Sequence, residues 1–184
     1  MKVLIIVSLT LTLLVVAALG LSYQLPKESI AEKTMLVSAN PDQVYAYLEN
    51  PTEWERWNAL NKSYDPTMIQ LFGGPMRGTG ARLTWNGDKV GSRQMIITGS
   101  VNPETLQYEV THNKEQHKTL GKFELKKTEG GTLVHWLEQT PLNDNPIDLL
   151  RGAWQQYTAD KQMEQGLLAL KVLAEQNSKR RATR

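Results

Sequence analysis

Between residues 67 and 140 the chain alternates apolar and polar side chains, and this alternation constrains the fold more than any other sequence feature. A period of two is typical of β-strands with one buried face. Short turn sequences interrupt the alternation, and Asn86-Gly87 is a strong hairpin signal. Short turns join antiparallel strands, whereas parallel strands need long crossovers. The segment therefore predicts an antiparallel meander of six strands. They are predicted at Thr67–Phe72, Thr79–Trp85, Val90–Val101, Glu104–Asn113, Lys118–Lys127 and Thr132–Thr140.

Helix signals flank this meander. Asn145-Pro146 combines an N-cap residue with proline at the first helical position, and the helix it starts is predicted to run to about Gln176. Upstream, Ile30–Ser38 is predicted as a first strand, and Asn40-Pro41 and Asn50-Pro51 each begin a short helix. The order predicts an α+β fold in which a twisted antiparallel sheet of about seven strands wraps around the long C-terminal helix. The two short helices would close one end.

The N-terminus carries a separate signal. Val3–Leu21 holds no charge, and a helix of this length covers roughly 28 Å, about the thickness of a bilayer's hydrocarbon core. We predict a transmembrane anchor at residues 1–22, followed by a spacer at 23–29. A cleaved signal peptide is the alternative, because Ala18-Leu19-Gly20 offers small residues for cleavage. With Lys2 near the start, the positive-inside rule predicts a cytoplasmic N-terminus and a domain on the periplasmic or extracytoplasmic side. A cleaved chain would be secreted.

Charge and cysteine content exclude several function classes. The net charge is +2, and part of the positive charge lies in a basic tail predicted at residues 177–184. A nucleic-acid binder needs a basic face along the folded domain, so we expect no nucleic-acid partner. The chain has no cysteine, which removes disulfides and thiolate chemistry. Its three histidines, His112, His117 and His135, form no metal-binding motif, and no phosphate loop occurs, so we expect no metal and no cofactor.

Five short motifs follow one another between residues 30 and 176. They are Trp54-x-x-Trp57, Gly80-Ala81-x-x-x-Trp85, Val90-Gly91-x-x-x-Met95, Gly131-Thr132-x-Val134-x-Trp136 and Gly166-Leu167-x-x-Leu170-Lys171. In this order they resemble the START / birch-pollen-allergen-like superfamily (SRPBCC), most of all its polyketide cyclase/dehydrase-like branch. The resemblance implies a helix-grip ligand-binding domain at residues 30–176. It does not imply one function, because the superfamily includes lipid carriers, hormone binders and cyclases.

Strand alternation also predicts which side chains face the long helix. The inward rows are mostly aromatic and apolar with few polar groups, which is the usual form of a small-molecule site. The predicted ligand-binding residues are Trp57, Trp85, Arg93, Met95, Tyr108, Phe123, Trp136, Gln156 and Met163. Of the two tryptophans in the first motif, Trp54 is predicted in the core and Trp57 at the cavity rim.

Two functions remain open at this stage. The first is a membrane-tethered, non-enzymatic binding protein for a hydrophobic small molecule or lipid. The second is an enzyme of the cyclase or dehydratase type that acts on a polyketide-like substrate by general acid–base chemistry, with His112, Glu138 and Asp160 as candidate catalytic residues. A cavity filled by side chains would instead indicate an interaction module. The sequence predicts no particular protein partner.

Overall fold

The computed structural model describes residues 2–22, 24–112 and 118–182. The helices are α1 (Lys2–Ser22), α2 (Pro41–Leu48), α3 (Trp54–Trp57), which follows a 3-10 turn at Pro51–Glu53, and α4 (Pro146–Ala182). The strands are β1 (Glu28–Val37), β2 (Ile69–Gly73), β3 (Arg82–Gly87), β4 (Gly91–Val101), β5 (Thr105–His112), β6 (Lys118–Thr128) and β7 (Gly131–Pro141). The predicted α+β fold with a seven-stranded antiparallel sheet and a long C-terminal helix is confirmed.

The sheet is a six-strand meander with the first strand added at one edge. Its order is β1-β7-β6-β5-β4-β3-β2, and every neighbouring pair is antiparallel. Consecutive strands from β2 to β7 pair with each other, as the short turns predict, while β1 returns to pair with β7. The inward side chains of the strands form one core with α2, α3 and α4. The predicted strand end at Asn113, and also His117, lie outside the described residues.

The long helix α4 begins at the predicted proline and extends to Ala182, six residues beyond the predicted end. Met163 faces the sheet as predicted, and Leu167 and Leu170 are buried beside it. In the first half of α4, however, Ala153 is exposed, and the helix face turned toward the sheet carries Gln155 and Ala159 instead. Steps of four and three residues along α4 predict Gln156 and Asp160 on its inner face, but the cavity lies beside the flank of the helix that carries Gln155 and Ala159.

The Trp-x-x-Trp motif completes the C-terminus of α2. The last carbonyl groups of a helix have no partner within the helix. Here the Trp54 indole N–H donates to the carbonyl oxygen of Leu48 at 2.8 Å, and the Trp57 indole N–H donates to that of Tyr47 at 3.1 Å. Both tryptophans are buried. The motif therefore anchors α2 and α3 to each other at one end of the sheet.

The N-terminal segment forms helix α1, and its large apolar side chains are mostly exposed. The prediction of a membrane-spanning anchor is not supported, because across the described residues no helix combines the length and apolar character needed to cross a membrane. Strand β1 begins at Glu28, inside the predicted spacer.

Candidate functional site: a cavity between the sheet and helix α4

A partly open cavity of about 300 Å³ lies between the sheet and the first half of α4. This volume is at the lower end of the range for small-molecule sites. Six aromatic side chains contribute to its wall: Trp54, Tyr64, Trp85, Tyr108, Trp136 and Trp154. Trp154 is 70% exposed, so its ring marks the mouth of the cavity. The space is therefore not filled by side chains. A filled space would have indicated an interaction module.

The strand register sorts the remaining lining residues into rows across the sheet. The deepest row holds Ala31, Glu138 and Tyr108, with Gly121 between the last two. The next row holds Ser29, Thr140, Thr119 and Val110, and the two threonine hydroxyl groups are 2.7 Å apart. The outermost row holds Trp85, Arg93 and His112. The carboxyl group thus lies near the aromatic floor, while Arg93 and His112 lie near the start of β4 and the end of β5.

A chain of hydrogen bonds fixes the carboxyl group of Glu138. The Trp136 indole N–H donates to the Tyr108 hydroxyl oxygen at 2.7 Å. The Tyr108 hydroxyl group in turn donates a hydrogen bond to Glu138 Oε1 at 2.5 Å. Hydrogen bonds to a charged group are shorter and stronger than those between neutral groups. Because Trp136 and Tyr108 are almost completely buried, this chain holds Glu138 in one position on the cavity wall.

Gly121 gives Tyr108 the space it needs. The two residues lie directly opposite each other on β6 and β5. A Cβ atom on residue 121 would come within 2.0 Å of Tyr108 Cζ, which is far inside any possible contact distance. The tyrosine ring therefore lies over the glycine backbone and reaches across to Glu138, which is the partner of Gly121 on β7. A glycine inside a strand commonly marks such a close approach.

Burial and charge act on Glu138 in opposite directions. Burial raises the pKa of the Glu138 carboxyl group above its ordinary value, while the hydrogen bond from Tyr108 and the charge of Arg93 lower that pKa in part. Burial and the nearby Glu138 charge raise the pKa of Tyr108 well above its ordinary value, so the phenol stays protonated. Arg93 is held by its Nε–H, which donates to the carbonyl oxygen of Val90 at 2.9 Å.

A buried aspartate holds the loop that closes one side of the cavity. Asp65 Oδ1 accepts from the Thr67 hydroxyl (2.6 Å), and Oδ2 accepts from the backbone N–H groups of Lys89 and Val90 (2.8 and 3.0 Å). These hydrogen bonds lower the pKa of Asp65 to about 2, and the bond from the Thr67 side chain has the largest effect. They tie the loop that carries Tyr64 to the β3–β4 hairpin, so Asp65 positions part of the cavity wall.

The structure brings together most, but not all, of the predicted site residues. Those on the cavity wall are Trp85, Arg93, Tyr108, His112, Trp136, Glu138 and Met163. Met95, Phe123 and Trp57 point inward as predicted but are packed into the core, so they do not line the cavity. Trp54 takes the place predicted for Trp57 and contributes to the wall.

The predicted α4 residues Gln156 and Asp160 also lie outside the lining, because the cavity lies beside one flank of the helix and not under the centre of its inner face. In their place the helix presents Gln155, Thr158, Ala159 and Gln162. Residues such as Thr119 and Thr140 were not predicted, although extending the alternation along β6 and β7 by one step would have found them. In residues 2–22, 24–112 and 118–182, no three His, Asp or Glu side chains converge on one point that could hold a metal.

A seven-stranded antiparallel sheet wrapped around a long C-terminal helix, with a small cavity between them, is consistent with a helix-grip fold. Residues 30–175 match the family described as polyketide cyclase / dehydrase and lipid transport. This match covers most of the chain, so the protein belongs to that family. The resemblance inferred from the five motifs is thereby confirmed at the level of the family. No curated protein matches the sequence.

Solved structures with similar folds extend this comparison. A protein of unknown function from Staphylococcus aureus has a TM-score of 0.65 at 12% identity, covering 83% of this chain and 96% of that one. The di-domain ARO/CYC protein StfQ from the steffimycin biosynthetic pathway has a TM-score of 0.62 at 11% identity, covering 82% of this chain and 51% of that one. A protein from Mesorhizobium loti has a TM-score of 0.59 at 18% identity, covering 80% and 97%. At these identities the likeness shows the fold alone.

Proposed function

We propose that this protein binds a hydrophobic small molecule in the cavity between the sheet and α4. The observation that carries the proposal is the open volume of about 300 Å³ with six aromatic rings on its wall. Apolar cavities with a few placed polar groups are the usual form of ligand sites. The membership of a family described by polyketide chemistry and lipid transport supports the same class of ligand. The small volume favours a compact molecule over a lipid with two acyl chains.

A cavity-filling substitution tests this proposal. Ala159 lines the cavity from α4, so Ala159→Phe places a ring in the space that a ligand would occupy. Native mass spectrometry after purification, and quenching of tryptophan fluorescence by a panel of hydrophobic dyes and fatty acids, would measure binding. We expect binding by the parent protein and its loss in Ala159→Phe. Ala46→Phe, on the exposed side of α2, is the matched control. If the parent protein binds nothing in the panel and carries no copurified molecule, the proposal fails.

A second candidate function is acid–base catalysis of the cyclase or dehydratase type on a polyketide-like substrate. The observation that favours it is Glu138, a carboxyl group with a raised pKa that is held on the cavity wall by Tyr108. A general acid or base needs a pKa close to the working pH and a fixed position near the substrate. His112 lies on the same wall, whereas Asp160 does not, so Glu138 and His112 remain the candidates.

Turnover would separate this function from simple binding. We would incubate the protein with a short β-polyketone and follow aromatic products by absorbance and mass spectrometry. Catalysis by Glu138 predicts that Glu138→Gln lowers the rate by about 100-fold or more while binding persists. Equal product formation by the parent protein and Glu138→Gln would remove this candidate.

We further propose that the domain lies on the extracytoplasmic side and that residues 3–21 direct it there. The support is the uncharged apolar sequence of this segment and the position of Lys2. Fusions of alkaline phosphatase to the C-terminus should be active, because that enzyme matures only outside the cytoplasm, and deletion of residues 2–22 should abolish the activity. The mass of the mature chain would show whether the segment is retained or cleaved. An inactive fusion with the full chain would refute this location.

A further inference from the structure

The carboxyl group of Glu138 uses only one of its two oxygen atoms within the described part of the protein. Tyr108 donates its single hydroxyl proton to Oε1, and the Trp136 N–H is already committed to the Tyr108 oxygen. Across residues 2–22, 24–112 and 118–182, no group donates a hydrogen bond to Oε2. Both donors near the cavity floor are thus occupied, and an acceptor remains on the cavity wall.

An acceptor at this depth needs a donor. A carboxyl oxygen removed from bulk water costs free energy unless water or a ligand provides a hydrogen bond. The charge of Arg93 offsets part of the raised pKa of Glu138, and at a pH above that pKa the carboxyl group is ionised and accepts hydrogen bonds at both of its oxygen atoms. A ligand that enters the cavity displaces water, so a ligand without a donor leaves Oε2 unsatisfied.

Aromatic side chains lie beside Glu138, and Trp54, Tyr108 and Trp136 each expose a small part of the ring to the cavity. The Trp54 and Tyr108 rings meet edge to face with centroids 5.2 Å apart, and the Trp136 ring stacks obliquely on Phe123 with centroids 4.8 Å apart. Aromatic faces and edges of this kind attract further aromatic rings in offset or edge-to-face arrangements. A cavity of about 300 Å³ accommodates one or two fused rings.

We propose that the deep end of the cavity recognises a compact aromatic ligand through a hydroxyl group that donates a hydrogen bond to Glu138 Oε2. This inference rests on the proposed binding function and adds the chemical class of the ligand. Trp54, Tyr108 and Trp136 contact the ring, while Glu138 selects the hydroxyl group. Tyr108 is a positioning residue, because it holds Oε1 and leaves Oε2 for the ligand.

A matched pair of ligands tests the hydroxyl group directly. 2-Naphthol and 2-methoxynaphthalene share the same rings and the same oxygen atom, but only 2-naphthol has an O–H donor. Isothermal titration of the full-length chain in a non-ionic detergent, with a detergent-only titration as the blank, would give both dissociation constants. We expect 2-naphthol to bind about 10-fold tighter or more, because a site that hydrogen-bonds a hydroxyl group rejects analogues without the donor.

Glu138→Gln tests the residue. Its amide can place an N–H donor where Oε2 lies, so we expect the preference for 2-naphthol to disappear while 2-methoxynaphthalene still binds. Retained binding of the methoxy compound also shows that the variant is folded. Glu164→Gln, on the exposed side of α4, makes the same chemical change away from the cavity and should keep the preference.

The outcomes separate this inference from the proposed function. Equal affinities for the two naphthalenes in the parent protein, or a preference that survives Glu138→Gln, would overturn the role of Glu138 and leave hydrophobic binding intact. Binding of neither naphthalene, while the dye and fatty-acid panel binds, would overturn the aromatic ligand class alone. Failure of the panel as well would overturn the proposed function.

Discussion

The side chains of Trp54 and Trp57 explain why a polar segment carries two tryptophans. Glu53, Glu55 and Arg56 surround them, yet both rings are buried, because residues three apart lie on one face of a short helix. Each indole N–H satisfies a carbonyl group at the end of α2. The sequence predicted Trp54 in the core and Trp57 at the cavity rim, whereas Trp57 packs in the core and Trp54 reaches the cavity.

Trp54→Phe should destabilise the protein by about 1–3 kcal/mol, because the buried carbonyl group of Leu48 loses its donor. Urea unfolding followed by circular dichroism would measure the free energy of unfolding. Trp154→Phe makes the same substitution at an exposed position and should change stability by less than about 0.5 kcal/mol. Equal effects of the two substitutions would show that the hydrogen bond from Trp54 contributes nothing.

Asp65 should make stability depend on pH in the acidic range. Its pKa is lowered from 3.8 to about 2, so its ionised form stabilises the fold fully above about pH 4, and this contribution is lost as the pH falls toward about 2. Asp65→Asn should therefore be less stable than the parent protein at pH 5, and the difference should shrink toward pH 2. Thermal unfolding at a series of pH values would measure it. A difference that stays constant over this range would contradict the assignment.

At the scale of elements, the pairing of β5 with β6 depends on Gly121. Because the Tyr108 ring lies over this glycine, the contact between two strands also sets the position of Glu138 on a third strand. Strand alternation puts Gly121 on the same face as Phe123, and nothing in the local pattern indicates the aromatic ring above it. The partner lies 13 residues earlier in the chain and is brought opposite only by strand register.

Gly121→Ala should cost about 1–3 kcal/mol, because the new methyl group overlaps the Tyr108 ring and forces it to move. The same shift should weaken the hydrogen bond from Tyr108 to Glu138 and reduce ligand binding. Gly130→Ala, in the β6–β7 turn, adds a methyl group that meets Leu36 at an acceptable 3.4 Å and is the control. The free energy of unfolding and the ligand affinity of both variants would be measured and compared with those of the parent protein. An unchanged affinity in Gly121→Ala would argue against the positioning role of Tyr108.

The two halves of helix α4 have different surroundings: one packs in the core and the other lines the cavity. Its second half buries Met163, Leu167, Leu170 and Ala174 against the sheet and supplies core contacts. Its first half lies over the cavity, where Gln155, Thr158 and Gln162 contribute polar side chains to the wall beside Ala159. Polar residues on the inner face of a helix are unfavourable for packing, so their position here agrees with a space kept open for a ligand.

At the scale of the whole molecule, the partly buried carboxyl group of Glu138 opposes folding when it is ionised. Its pKa is raised from 4.5, so the folded state favours the neutral form. Below about pH 4.5 the carboxyl group is neutral in the folded state and the protein keeps its full stability. Stability is lost as the pH rises through the folded-state pKa, because the unfolded chain ionises this group more easily. Functional sites commonly carry such a cost in stability.

Glu138→Gln should therefore gain stability relative to the parent protein as the pH rises from about 4.5. The amide stays neutral and avoids the cost of a buried charge. Chemical unfolding at several pH values between 4 and 8 would follow this difference, with Glu164→Gln as the control for the same change at an exposed site. A stability difference that does not grow with pH would contradict the raised pKa of Glu138.

The sequence by itself determined the order of the elements, the antiparallel meander, the start of α4 and most of the inward-facing rows. These features follow from periodicity and turn residues, which act between near neighbours in the chain and so can be recognised in the sequence. The tertiary structure alone decided which of the inward residues line the cavity, that Tyr108 reaches Glu138 across Gly121, and that Asp65 binds the loop to a distant hairpin. Those contacts depend on strand register, helix rotation and the fit of specific side chains. They join residues that are far apart in the chain, and local patterns carry no information about such distances.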